Sequence, residues 1–242
     1  MLRLLPQWCL ANEIATSLEL SSDQGMIVSA VGILLCAILG YLLGSLNSAI
    51  IISHTLLRRD IRAHGSKNAG TTNMLRTYGT GYAVLTLALD MLKGAVAALV
   101  GYLILHMAGA PVAGFFCVFG HMFPIYYRFK GGKGVATTAM VALMLDPWVF
   151  LVMLVVFVVI TAGTRFVSLA SVMCALLYPL LLHAFIPGGW TVLMGLLTTA
   201  FVVFMHRENI KRLLAGKESK VSFGKKKKTD QQPSPPSSSG EE

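Results

Sequence analysis

Acidic residues are scarce in this chain. Of 242 residues only 11 are Asp or Glu, and between positions 26 and 205 the only ones are Asp60, Asp90 and Asp146. Chemistry that needs two carboxylates, or a divalent metal held by carboxylates, is disfavoured by that count. Cysteine is sparse as well: Cys36, Cys117 and Cys174 lie in apolar runs and Cys9 near the N-terminus. No pair has zinc-site or redox spacing, so the thiols read as packing residues. Charge of either sign is only 13% of the chain, where a soluble domain carries about a quarter. There is no internal repeat and no Walker A loop, since Lys133 is followed by Gly134 and not by Ser or Thr.

What is present is apolar: 55% hydrophobic residues and a mean hydropathy of +0.68. The chain reads as an all-α polytopic membrane protein. Residues 1–25 lack a cleavage-type signal pattern and read as an extension, interfacial through Trp8. Residues 26–221 form the membrane domain, with apolar spans at about 26–57, 82–106, 111–127, 134–145, 147–162, 166–186 and 190–205. That makes about seven transmembrane helices. The first span is too long for one crossing and ends in polar positions, and the fourth and fifth form a short hairpin. Residues 222–242 hold the Lys225–Lys228 block and a Pro/Ser-rich end, a composition expected to be disordered.

The net charge of +9 sits in loops and tail. Arg58, Arg59, Arg62, Lys67 and Arg76 follow the first span, Arg128, Lys130 and Lys133 the third, and Arg165 the fifth; the tail follows the seventh. The turns 107–110, 145–148 and 187–190 contain no Lys or Arg. This alternation predicts an N-terminus outside and a C-terminus in the cytoplasm. It also makes membrane lipid, and not nucleic acid, the expected partner of the basic charge.

The same parity places three polar stretches on one membrane face. The first is Arg62–Asn73, with Gly65, Ser66, Asn68, Gly70, Thr72 and Asn73. It offers hydroxyls, amides and a guanidinium that can grip phosphate. The second is Lys130-Gly131-Gly132-Lys133-Gly134, whose bare backbone N–H groups precede a helix start carrying Thr137 and Thr138. Such amides suit an oxyanion, and a flexible basic turn is the plainer reading. The third is His206–Arg212, where His206 and Asn209 share a helical face and His206 could carry a proton. Inside the second span Asp90 and Lys93 are spaced i, i+3; ionisable groups there mark either a site or a mutually neutralised pair. Ser45, Asn47 and Ser48 read equally as helix glue or site lining, and His121 is ambiguous in the same way.

Taken in order, several segments carry a resemblance. They are Gly44-Ser45-Leu46-Asn47, Arg62 with Gly65-Ser66-x-Asn68-x-Gly70-x-Thr72-Asn73, Asp90-x-x-Lys93-Gly94, Gly120-His121-x-Phe123-Pro124, Lys130–Thr137, and His206-Arg207-x-Asn209-Ile210 running to Glu218. Together they resemble the bacterial acyl-phosphate:glycerol-3-phosphate acyltransferase family over roughly residues 39–221. The resemblance implies a seven-span protein of the bacterial cytoplasmic membrane with its site on the cytoplasmic face. The implied reaction is acyl transfer from acyl phosphate to the 1-hydroxyl of glycerol 3-phosphate, giving lysophosphatidic acid and phosphate. It implies no cofactor, no metal and no protein nucleophile, and a functional link to a soluble enzyme that makes acyl phosphate.

By that resemblance Gly131, Gly132, Lys133, Gly134 and Thr137 hold the acyl phosphate, and Lys130 is a further substrate-binding residue. Arg62, Lys93, Asn73 and His206 surround glycerol 3-phosphate, with Ser45, Ser66, Asn68, Thr72 and Asn209 completing the site. Lys67, Thr71 and Met140 depart from the family pattern, Lys67 standing where glycine is usual. The alternative from the residues alone is a transporter or channel for a phosphorylated anion, which would bind phosphate with the same groups.

Overall fold

The computed structural model describes residues 2, 9–18, 21–186 and 188–221. The expected disorder of 222–242, the Lys225–Lys228 block and Trp8 lie outside the described residues. Within them the chain is helical: α1 (Leu10–Ser17), α2 (Ser22–Ser45), α3 (Ser48–Thr55), α4 (Thr71–Tyr78), α5 (Thr80–Met122), α6 (Val135–Leu145), α7 (Pro147–Thr164), α8 (Val167–Phe185), α9 (Gly189–Met205) and α10 (Arg207–Leu214). The boundary expected at residue 25 falls inside α2, which starts from a capping box made by Ser21 and Gln24. In the expected extension, α1 packs on α2 and α5.

Four helical stretches are long and apolar enough to cross a membrane: Ser22–Thr55, Thr80–Tyr127, Pro147–Thr164 and Val167–Phe185. A fifth is counted if α9 and α10, bent by 58°, act together. Two of these stretches are internally broken. The expected single span 26–57 stops at Leu46, and the Asn47 side chain caps the new helix α3 by accepting from the Ile50 amide at 3.1 Å. The 43-residue α5 is broken at Leu105 and His106, where φ is −134° and +53°. Its two arms fold back on each other. Gly101 and Gly109 would lie about 12 Å apart in a straight helix, yet a Cβ on either would overlap the other's backbone. The turn expected at 107–110 is therefore earlier by two residues, and Pro111 is the fifth residue of the second arm, where its missing N–H forfeits the bond to the Met107 carbonyl near the start of that arm.

Small residues set the close approach of α2 to the second arm of α5. A Cβ on Gly40 would strike the Ala113 backbone, and one on Gly44 the Cys117 backbone. In a bilayer, where burial of apolar surface gives helices no preference for one another over lipid, such backbone contact is a main source of attraction. On the other side of α5, α6 and α7 pack as a hairpin around Val141, Leu145, Val149 and Met153, against Tyr178 and Leu182 of α8. At 11 residues, α6 is about 16 Å long and cannot cross a bilayer core alone.

Candidate active site

The break after α2 explains the ionisable pair in α5. Ending a helix leaves main-chain carbonyls without partners. The Lys93 ammonium donates to two of them, Gly44 O at 3.2 Å and Leu46 O at 3.0 Å. It also lies 2.8 Å from His121 Nδ1 and 2.9 Å from Asp90 Oδ1. Lys93 and Asp90 are 8% and 1% exposed. All three ammonium hydrogens thus have acceptors inside the protein, whereas the sequence resemblance has Lys93 surrounding glycerol 3-phosphate. In this structure it is a buried strut tying the end of α2 to both arms of α5.

Arg62 is likewise committed. Its Nε and Nη2 donate to the Asp60 carboxylate, and its Nη1 to the carbonyls of Tyr127 at 2.9 Å and Lys130 at 3.3 Å. The guanidinium beside Asp60 holds that carboxyl down at about 2. The forked donor expected for phosphate instead clamps the first polar stretch to the second. Asn73 is 1% exposed. Its amide donates to the carbonyls of Ile61, His64 and Asn68, and its Oδ1 accepts from the Ser66 amide at 2.8 Å. It organises the loop and has no group left for substrate. Gly65, at φ +57°, lies so close to Asn73 Oδ1 that no side chain fits.

Two of the expected phosphate amides are also taken. Gly131 N–H donates to Met122 O and Gly132 N–H to His121 O, both at 3.1 Å. They cap the C-terminal end of α5. The Thr137 hydroxyl is fully buried and donates to Asp90 O at 3.3 Å. The open amides are instead those of Lys133, Gly134, Val135, Ala136 and Thr137: the first helical bond of α6 runs from Thr138 N to Gly134 O, and none of these five donates to a protein acceptor among the described residues. Gly134 caps α6 in the left-handed region, at φ +77°.

The three polar stretches meet. Gly132 packs against the Ala69 carbonyl and the His121 ring, which joins the first to the second. Lys133 Nζ donates to Asn209 Oδ1, which joins the second to the third. Asn209 in turn donates to Glu218 Oε1 at 2.6 Å, and Glu218 also accepts from Ser168 at 2.9 Å and Arg212 at 2.7 Å. Burial brings Lys133 down to about 8, and the nearby Arg212 and Arg76 add to that shift while Glu218 opposes it. His206 is 2% exposed. Its Nδ1–H donates to the Val202 carbonyl at 2.8 Å, which leaves Nε2 as the basic nitrogen of the neutral ring.

Lys130, Ser66 and Thr72 are exposed, Asn68 is half-buried, and Ser45, fully buried, accepts from the Ile125 amide at 3.3 Å. Arg76, Arg212, Glu218 and Ser168 were not among the expected site residues, and Asn47 and His121 were left open between packing and site lining. Glu218 carried a signal in being the one acidic residue between Lys211 and Lys220.

The carboxylates of Asp60, Asp90 and Glu218 are all paired. What is left open is a row of helix-start amides beside Lys133, with Arg76 and Arg212 close by. That arrangement is suited to an anion.

Comparison with known proteins agrees with this geometry. The family described as Glycerol-3-phosphate acyltransferase matches residues 34–216. Glycerol-3-phosphate acyltransferases of Thermoanaerobacter pseudethanolicus and Bacillus subtilis are each 40% identical to the chain, over 187 and 192 residues. Those alignments span 77% of this chain and 94% of the first relative, and 79% and 98% for the second. The crystal structure of PlsY (YgiH), an integral membrane glycerol 3-phosphate acyltransferase, in its glycerol 3-phosphate form, is 36% identical with a TM-score of 0.74. The similarity covers 78% of this chain and 96% of that one. The lysophosphatidic acid form of PlsY is 35% identical with a TM-score of 0.72 over 78% and 95% of the two chains. This multi-pass membrane protein belongs to the glycerol-3-phosphate acyltransferase family, of the PlsY type.

Proposed function

We propose that the chain transfers a fatty acyl group from acyl phosphate to the 1-hydroxyl of glycerol 3-phosphate, releasing lysophosphatidic acid and inorganic phosphate. It would act at the cytoplasmic face of the bacterial inner membrane, as an acyl-phosphate-dependent glycerol-3-phosphate 1-O-acyltransferase. Its family and the two PlsY forms support acylation of glycerol 3-phosphate. The observation that carries the donor is the set of open amides from Lys133 to Thr137 beside a partly buried lysine. They would hold the phosphoryl group of acyl phosphate, with Arg76 and Arg212 as further cations.

With Asp60, Asp90 and Glu218 paired, no neighbouring carboxylate is placed to act as base. The departing phosphate would take the hydroxyl proton itself, and catalysis would consist of positioning and charge stabilisation. His206 Nε2, Lys130, Ser66, Asn68 and Thr72 would face glycerol 3-phosphate, while Arg62, Lys93, Asn73, Ser45 and Asn209 hold the loops in register. Seven crossings with a cytoplasmic C-terminus are part of this reading, supported by the fold-back of α5 and the alternation of basic and bare loops; they require the short α6 to cross where the bilayer is locally thinned. A soluble enzyme that makes acyl phosphate would supply the donor.

The test is product identity. Purified protein in detergent is given glycerol 3-phosphate with palmitoyl phosphate or with palmitoyl-CoA, and lysophosphatidic acid is sought by mass spectrometry. Product from the phosphate donor alone is expected. Product from the CoA donor alone would contradict the donor assignment. No product from a folded sample that moves glycerol 3-phosphate across vesicles would favour a transporter.

A further inference from the structure

A cavity opens one helical turn below the meeting point of the three stretches. Val135 and Thr138 of α6, Ser171 and Tyr178 of α8, and Thr198 and Val202 of α9 are among its lining residues. Its placement follows from the spacing along three helices. Thr138 comes one turn after Gly134, the cap among the open amides, and Ser171 one turn after Ser168, which holds Glu218. Val202 comes one turn before His206 and carries the carbonyl that takes its Nδ1–H. Each helix thus presents a polar group at the cationic cluster and a cavity-lining residue within about one turn of it.

The cavity is apolar in effect despite its hydroxyl-bearing residues. Ser171 donates to Val167 O, Thr198 to Met194 O and the neighbouring Thr199 to Ala175 O, so each hydroxyl is turned onto a main-chain carbonyl. The exceptions are Tyr178, whose hydroxyl makes no hydrogen bond among the described residues, and Thr138. Its Oγ1 is buried with no hydrogen-bond partner, and the residue is only 4% exposed. An unpartnered buried hydroxyl is costly unless something is meant to meet it. Adjacent Thr137 has its hydroxyl on the Asp90 carbonyl, so the two threonines of the first turn face opposite neighbours.

We propose that this cavity seats the carboxyl end of the acyl chain, with the Thr138 hydroxyl donating a hydrogen bond to the acyl carbonyl oxygen. The inference rests on the acyl-transfer reading above and extends it to a particular group. With the phosphoryl group on the Lys133–Thr137 amides, the acyl carbonyl oxygen turns toward Thr138 at the edge of the cavity. When the 1-hydroxyl oxygen of glycerol 3-phosphate bonds to the carbonyl carbon, the carbonyl oxygen gains negative charge, which Thr138 stabilises. The carbon–oxygen bond to phosphate then breaks, and the phosphate leaves with the hydroxyl proton. Thr138 is in this account a catalytic residue, acting as an oxyanion donor.

The experiment compares Thr138→Val, which keeps the shape and loses the hydroxyl, with Thr138→Ser, which keeps the hydroxyl. In detergent with palmitoyl phosphate, Thr138→Val is expected to lower kcat about a hundredfold to a thousandfold, as for loss of one oxyanion donor, with KM for glycerol 3-phosphate unchanged. Thr138→Ser should keep most of the wild-type rate. A second readout uses palmitoyl phosphonate labelled with carbon-13 at its carbonyl. Its infrared carbonyl band should lie at lower wavenumber on wild type than on Thr138→Val. Equal rates for wild type and Thr138→Val, or an unshifted band, would overturn the proposal while leaving acyl transfer standing. An inactive wild-type enzyme would instead count against the acyl-transfer reading itself.

Discussion

The Lys93 ammonium lies 3.0 Å from the carbonyl of Leu46, 47 positions earlier in the chain. A lysine 8% exposed in an apolar helix is tolerable here because the end of α2 supplies carbonyls and Asp90 supplies the charge. Breaking a buried pair by removing one partner costs about 3–5 kcal/mol, more than the pair contributes net. Lys93→Met is therefore expected to lower the thermal unfolding temperature sharply in detergent and to abolish activity. Lys93→Met with Asp90→Asn should recover part of the stability without recovering activity. A single variant as stable as wild type would show that the strut is unimportant.

Arg62→Lys is expected to behave as a severe change. Lysine cannot reach the Asp60 carboxylate and the carbonyls of Tyr127 and Lys130 together. The two polar stretches should lose register, with kcat falling at least about tenfold and unfolding at lower temperature. Steady-state kinetics alongside thermal unfolding separates this from loss of a simple phosphate contact, which would raise KM for one substrate and leave stability unchanged.

Lys133, held down at about 8 mainly by burial, gives a pH signature. It is charged below about 8 and neutral above, so affinity for acyl phosphate should fall as pH rises through that value. Stability has the opposite sign. Between about 8 and its ordinary 10.5 the unfolded chain binds the proton and the folded chain does not, so Lys133 contributes rising stability across that window. Lys133→Arg should remove the alkaline loss of affinity, read as KM for palmitoyl phosphate against pH.

Lys67 occupies φ +60° on an exposed turn, a region that a Cβ makes unfavourable by about 1–2 kcal/mol. Lys67→Gly should relieve that strain and offset part of the gain by loosening the unfolded chain. A rise of a few degrees in unfolding temperature is expected. A fall would mean that the lysine side chain contributes more than its backbone costs.

Much of the site was legible in the sequence. The clustering of Gly, Ser, Thr and Asn beside cations in an apolar chain marked the three stretches, and they do converge through Gly132, Lys133 and Asn209. The hydrogen-bond accounting was not legible. Composition shows that Gly131 and Gly132 can offer amides; it does not show that the end of α5 consumes them. Asp60 stands two residues before Arg62, and whether it or a ligand takes the guanidinium depends on the turn between them. The break in α5 was expected at the small residues after His106, and the chain instead turns at Leu105 and His106, where contact between Gly101 and Gly109 decides the geometry.

The most direct test of the central claim is phosphate release. Protein in detergent is mixed with palmitoyl phosphate, with and without glycerol 3-phosphate, in the absence of acyl-CoA, and inorganic phosphate is followed over time. The account predicts release that requires glycerol 3-phosphate and saturates with it. Release independent of glycerol 3-phosphate, or none from a folded sample, would contradict it.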